Sequence, residues 1–127
     1  MGDNYFKNKK VVIIGASGNL GQAYTQAFFQ AGAHLFLLGR NMDKLAAFSE
    51  DIASNIPICS VDITNETSIR VAVSEVQKWS DNIDIVVNAT GFDVRKSLLS
   101  HSEEEINQTM TINLIRAILV SKHFLPL

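Results

Sequence analysis

The chain has 127 residues, 46% of them hydrophobic, with 11 Lys and Arg against 13 Asp and Glu. That size suits one compact domain whose core needs neither disulfide nor structural metal. A net charge of −2 lacks the basic excess of nucleic-acid binding, and no apolar run approaches the roughly 18 residues of a membrane span.

The lone Cys59 cannot form an internal disulfide, which points to a reducing, cytoplasmic setting. Met1 to Lys10 is polar and lacks the apolar stretch of a signal peptide. His34, His101 and His123 are too scattered for a local metal motif, so no metal is expected.

Short β-rich runs alternate with longer stretches of helical periodicity, the pattern of a parallel α/β sheet. Val11 to Ile14 is an unbroken β-branched run and is the first strand, stopped by Gly15. Asn19 to Ala31 is the first helix, with Leu20, Ala23, Ala27 and Phe28 as its apolar stripe and Gly32 after it. His34 to Leu38 is the second strand, and Met42 to about Ser54 an amphipathic helix through Leu45, Ala46, Phe48 and Ile52.

Ile56 to Val61 reads as the third strand. Thr64 is the expected N-cap of a helix to Trp79, striped by Ile69, Ala72, Val73 and Val76. Ile83 to Val87 is the fourth strand. Ser102-Glu103-Glu104-Glu105 has the form of a capping box and starts a long helix running nearly to Pro126. The expected architecture is a doubly wound, Rossmann-like parallel sheet of about four strands in the order 3-2-1-4, fewer than the roughly six of a complete dinucleotide fold.

Gly15-Ala16-Ser17-Gly18-Asn19-Leu20-Gly21 lies between the first strand and the first helix. In a doubly wound sheet this is where a dinucleotide binds, with helix amides facing its pyrophosphate. Glycines there permit a sharp turn, close approach of the phosphate and tight packing of helix on strand, so a side chain at Gly15 is expected to fill the pyrophosphate approach. At the end of the second strand, where an NAD site presents a carboxylate, the chain has Gly39-Arg40-Asn41. Arg40 suits a ribose 2′-phosphate, which favours NADP over NAD.

These residues resemble the short-chain dehydrogenase/reductase family. Gly15, Gly18 and Gly21 match its glycine-rich segment, in the GxxGxxG spacing of the extended and atypical branches. Gly39-Arg40 is similar to the NADP-preferring form. Asp62-Ile63 sits where the family has an acidic-apolar pair beside the adenine, and Asn88-Ala89-Thr90-Gly91 resembles the family's segment running beside the cofactor. Asn113-Leu114, followed by Leu125-Pro126, is similar to the family's fourth helix.

Counting from Ile106, the positions 106, 110, 113, 117, 120 and 124 make one stripe of Ile, Met, Asn, Ala, Val and Phe, with Asn113 its lone polar member. A buried amide either satisfies a local backbone defect or holds water at a site. The resemblance implies the second, with Asn113 as the asparagine of an Asn-Ser-Tyr-Lys catalytic group.

The family's Ser and Tyr-x-x-x-Lys pair lie beyond Leu127, and neither Tyr5 nor Tyr24 has a Lys four residues on. The resemblance therefore implies that residues 1–127 are the dinucleotide-binding domain, C-terminally incomplete, of an NADP(H)-dependent oxidoreductase acting on a small carbonyl or alcohol. The chain alone is expected to bind cofactor without turnover. The apolar fourth strand, left at an edge, implies either further chain or a second copy, hence a homo-oligomer. Two alternatives stay open, an extended-branch nucleotide-sugar epimerase and a non-catalytic NADP-binding sensor.

Overall fold

A computed structural model describes residues 4–127. Strands β1 (Lys10–Ile14), β2 (His34–Gly39), β3 (Ile58–Ser60) and β4 (Ile85–Asn88) form one sheet, all parallel, in the order β3-β2-β1-β4. Helices α1 (Asn19–Gln30), α2 (Met42–Ile52) and α3 (Glu66–Trp79) make the crossovers. Because successive strand side chains point to opposite faces, β1 and β2 split into two cores. Val11, Ile13, Leu35 and Leu37 pack with Leu45 and Phe48 of α2 on one face; Val12, Ile14, Phe36 and Leu38 pack with Ile69, Ala72 and Val76 of α3 on the other. The expected architecture and strand order are those observed.

Several boundaries and faces differ from expectation. The third strand is only Ile58–Ser60, although the Pro57 carbonyl still accepts the Leu37 amide at 3.0 Å. Proline has no N–H to return, so the ladder cannot extend through it. The fourth strand begins at Ile85, because the Asp84 side chain, rather than its backbone, takes the Lys10 amide at 2.7 Å.

Of the apolar stripe read for α1, only Phe28 packs against the core. Ala23 and Ala27 are exposed and Leu20 is 65% exposed, while Gly21 and Thr25 are buried. The smallest residue faces inward so that the helix can approach the strand, and the Thr25 hydroxyl is satisfied by donating to the Gly21 carbonyl at 2.7 Å. Thr64 is not the cap of α3. Asn65 is, accepting from the Ser68 amide at 3.2 Å, and Thr64 is engaged elsewhere.

The long C-terminal helix is three pieces: α4 (Glu103–Met110), a π-helical segment (Thr111–Arg116) and α5 (Ala117–Phe124). Its capping box forms as expected, Ser102 with Glu105. The wider π turn rotates the faces out of phase with a continuous 3.6-residue stripe. Consequently Val120 and Phe124 are buried, but Ile106 and Met110 are 45% and 50% exposed and Asn113 is exposed too, so the stripe drawn through them is not a buried face.

Candidate functional site

The three parallel pairings carry the strand C-terminal ends to one edge of the sheet, where the connecting loops part and leave a cavity of about 480 Å³. That volume is in the range of small-molecule and cofactor sites. Its walls bring together Gly15, Ser17 and Gly18 from the first loop, Arg40 and Asn41 from the second, Asp62 and Ile63 from the third, and Ala89, Thr90 and Gly91 from the fourth.

The first loop is built around a reversal at Gly15, whose φ of +79° places it in the left-handed region. The Gly15 and Ala16 amides both donate to the Leu38 carbonyl, at 2.8 and 3.1 Å, which ties the turn to β2. Gln22 Nε2 donates to the Ser17 carbonyl at 2.8 Å and holds the second half of the loop against α1. At Gly21 an added Cβ would lie 2.0 Å from the Gly15 carbonyl oxygen, so any side chain there separates helix from turn.

A Cβ at Gly15 would point at Ala89 and Thr90, with contacts of 3.1 Å, so it would press on the fourth-strand loop. Gly15, Ala89 and Thr90 all line the cavity. Gly18 lines the cavity too; its φ of −77° is ordinary, and a Cβ there would meet only the Gly15 carbonyl, at 3.4 Å.

The helix ends differ in a way that bears on ligand chemistry. Helices α2, α3 and α4 each have a side-chain cap, from Asn41, Asn65 and Ser102, and each carries acidic residues in its first turn. Helix α1 has neither. Its N-cap is Gly18, without a side-chain cap hydrogen bond, and its first turn contains no acid. The first-turn amides of Asn19, Leu20 and Gly21 are therefore left to an external acceptor, and the dipole makes an anion the favoured one. Asn19, Leu20 and Gly21 themselves do not line the cavity; the helix N-cap, Gly18, does.

Two matching turns close the far wall. Asp62 Oδ1 accepts from the Thr64 amide at 2.9 Å and from the Thr64 hydroxyl at 2.6 Å. Asn88 Oδ1 likewise accepts from both the amide and the hydroxyl of Thr90. The Thr64 hydrogen bonds hold the Asp62 carboxyl below its ordinary range, and the positive charges of Arg40 and Arg116 act in the same direction. Asn88 does not itself line the cavity; it shapes the turn that presents Ala89 to Gly91.

Asn113 lies in the π-helical segment and grips the loop after β4. Its Oδ1 accepts from the Phe92 amide and its Nδ2 donates to the Phe92 carbonyl, both at 2.8 Å. Phe92 in turn lines the cavity. A flat amide here pairs with both the N–H and the C=O of one residue, which fixes that residue more firmly than either bond alone.

Gly39, Lys44, Val61, Thr64, Phe92 and Ile112 complete the walls, and of these neither Lys44 nor Ile112 was singled out from the sequence. Lys44 carried a signal, since a cation in a helix's first turn opposes the dipole. Among the described residues no cluster of His, Cys, Asp or Glu could hold a metal, and no helix is long and apolar enough to cross a membrane.

Comparison with known proteins places this geometry. The family model for "short chain dehydrogenase" matches residues 9–127. "Uncharacterized oxidoreductase YvrD" of Bacillus subtilis is 29% identical over 126 residues, covering 98% of this chain and 48% of the relative. "Dehydrogenase/reductase SDR family member 7B" of Bos taurus is 30% identical over 131 residues, covering 96% and 40%.

Among solved structures, the Pseudomonas aeruginosa RhlG/NADP active-site complex shares the fold with a TM-score of 0.88 at 23% identity, over 97% of this chain and 50% of that one. A short-chain dehydrogenase/reductase from Brucella melitensis, described as a glucose/ribitol dehydrogenase, gives 0.87 at 26%, over 97% and 53%. The chain spans about half the length of the relatives it matches. Since the matched residues run from before β1 through the glycine loop to the helix that carries Asn113, the chain belongs to the short-chain dehydrogenase family.

Proposed function

We propose that residues 1–127 form the dinucleotide-binding domain of an NADP(H)-dependent oxidoreductase, and that the complete protein moves a hydride between nicotinamide and a small carbonyl or alcohol substrate. The observation that carries this reading is the uncapped, acid-free start of α1 opening onto a cavity that also holds Arg40. The cavity fits the cofactor at each of its polar ends. First-turn amides of α1 suit the pyrophosphate, Gly18 leaves room for it, and Arg40 suits a 2′-phosphate in place of the carboxylate that an NAD site presents. Asp62 and Ile63 suit the adenine, and Ala89, Thr90 and Gly91 line the path onward.

When bound, NADP(H) supplies the hydride donor or acceptor. The chain's own residues bind it, orient it and shape the wall around it, with Asn113 as a positioning residue acting through Phe92. A homo-oligomer is supported by the exposed apolar row of Leu114, Ile115 and Ile118, and a cytoplasmic setting by the single free cysteine. The epimerase reading has only the GxxGxxG spacing behind it, and neither it nor the sensor reading is favoured by the relatives.

Calorimetric titration tests the proposal. NADPH is expected to bind the chain more tightly than NADH, and Arg40→Ala to weaken NADPH by about 1.5–3 kcal/mol, the worth of a charge-assisted hydrogen bond, while changing NADH little. Equal losses for both cofactors would refute the NADP assignment, and the absence of binding to either would refute the site.

A further inference from the structure

The loop from Asp93 to Ser100, between β4 and α4, has little buried surface to hold it. Apart from the half-buried Val94 its residues are exposed, Leu98 and Leu99 to 80% and 98%. Polar contacts must therefore order it. Its ends are fixed by the grip of Asn113 on Phe92 and by the Ser102 cap of α4. Between those anchors the half-buried ring of His101 spans the loop. Nδ1 lies 2.9 Å from the Ser97 carbonyl oxygen and Nε2 3.1 Å from the Val94 carbonyl oxygen.

Both of these partners can only accept. A neutral imidazole has one N–H and one bare nitrogen, so it donates to one carbonyl and turns a lone pair on the other; only the doubly protonated ring satisfies both. Each carbonyl already accepts one backbone amide, Val94 from Lys96 at 3.0 Å and Ser97 from Ser100 at 2.9 Å, which leaves its second lone pair for the ring.

The surrounding charges accommodate a cation. His101 precedes the N-cap of α4, where the helix dipole alone opposes positive charge, but Glu103, Glu104 and Glu105 fill the first turn. The Glu105 carboxyl is held below its ordinary range, chiefly by the hydrogen bond from Lys96 and then by the Ser102 amide, and a positive His101 adds to the effect. Lys96 pairs with Glu105 at 2.6 Å and Arg95 with Asp93 at 3.3 Å. Among the described residues Glu103 and Glu104 form no ion pair within 4.0 Å, so the neighbourhood is negative on balance.

We propose that His101 is a proton-dependent strap: its doubly protonated ring ties Val94 to Ser97 and orders the loop that follows Phe92 in the cavity wall, and loss of one ring proton releases one of the two carbonyls. Histidine is the side chain whose charge changes between about pH 5 and 8, so the loop is tight at the acidic end of that range and looser at the alkaline end. The inference does not depend on which ligand the cavity takes.

Amide hydrogen exchange of the protein, expressed as protection factors at about pH 5.5 and pH 8, tests it. The Ser100 and His101 amides donate to the Ser97 and Leu98 carbonyls inside the strap. Their protection is expected to be roughly three- to tenfold higher at the lower pH, the worth of one charge-assisted hydrogen bond at a part-exposed place, while that of the buried Ile13 in β1 stays level. His101→Gln should abolish the difference. Nitrogen-15 NMR of the parent's His101 ring should show both nitrogens protonated at the lower pH.

Equal loop protection at both pH values overturns the inference, as does a His101 ring that keeps one bare nitrogen at the lower pH. His34 and His123 remain in the variant, so a difference that survives His101→Gln belongs to them and also overturns it. A change of the same size at Ile13 does so too, by showing that the whole fold responds and not the loop.

Discussion

Three glycines in one loop do three different jobs, and substitution separates them. At Gly18 the backbone is one that any residue adopts and the space beyond it is open, so Gly18→Val should leave stability nearly unchanged while lowering NADPH affinity at least about tenfold. At Gly21 a methyl group would meet the Gly15 carbonyl at 2.0 Å. Gly21→Ala should therefore destabilise the fold by about 1–3 kcal/mol in urea titration, because overpacking outweighs alanine's helix propensity of about 1 kcal/mol. Reversed outcomes would mean that the open side of the loop has been misassigned. Spacing alone showed that the three glycines belong together; it could not say that Gly15 and Gly18 line the cavity while Gly21 packs against the turn. Asp62 adds a pH prediction. Its pKa is lowered chiefly by the Thr64 hydroxyl, so its contribution to stability is complete above the ordinary carboxylate range and is lost as pH falls through the folded value. Thr64→Val should move the Asp62 titration upward in carboxyl NMR, and an unmoved curve would show that the hydroxyl has no such role. Thr64 looked like a helix cap because threonine caps and threonine side-chain turns share the same local sequence, and Asn65 next to it caps better.

Strands and helices were legible where one period dominates. The unbroken apolar runs of β1 and β2 and the stripe of Ile69, Ala72 and Val76 on α3 all lie where periodicity put them. Legibility ended where the backbone departs from its period. The π-helical segment at Thr111–Arg116 inserts extra residues into a turn, so a stripe counted across it drifts off the buried face, and Asn113 emerges exposed instead of buried. In compensation, that turn aims the Asn113 amide at the peptide of Phe92. Asn113→Ala should cost about 1–2 kcal/mol, the net of two hydrogen bonds at a part-exposed place, and should speed hydrogen exchange at the Phe92 amide. Unchanged exchange there would remove the asparagine from the architecture of the cavity.

At the scale of the whole molecule, the order β3-β2-β1-β4 places β1 inside the sheet and gathers the loops after all four strands around one cavity. Chain order alone implied that convergence, since right-handed crossovers on a twisted sheet leave few alternatives. What remained hidden was a residue contributed from afar, Ile112, whose place depends on how the C-terminal helix crosses the sheet. The central claim is that backbone amides at the start of α1 receive a diphosphate within this cavity. Its most direct measurement is a backbone amide NMR titration of the chain with NADPH. The largest shifts should fall on Ser17 to Gly21, with a second group at Arg40 and a third at Ala89 to Gly91; shifts that leave Ser17 to Gly21 unmoved, or no shifts at all, would contradict it.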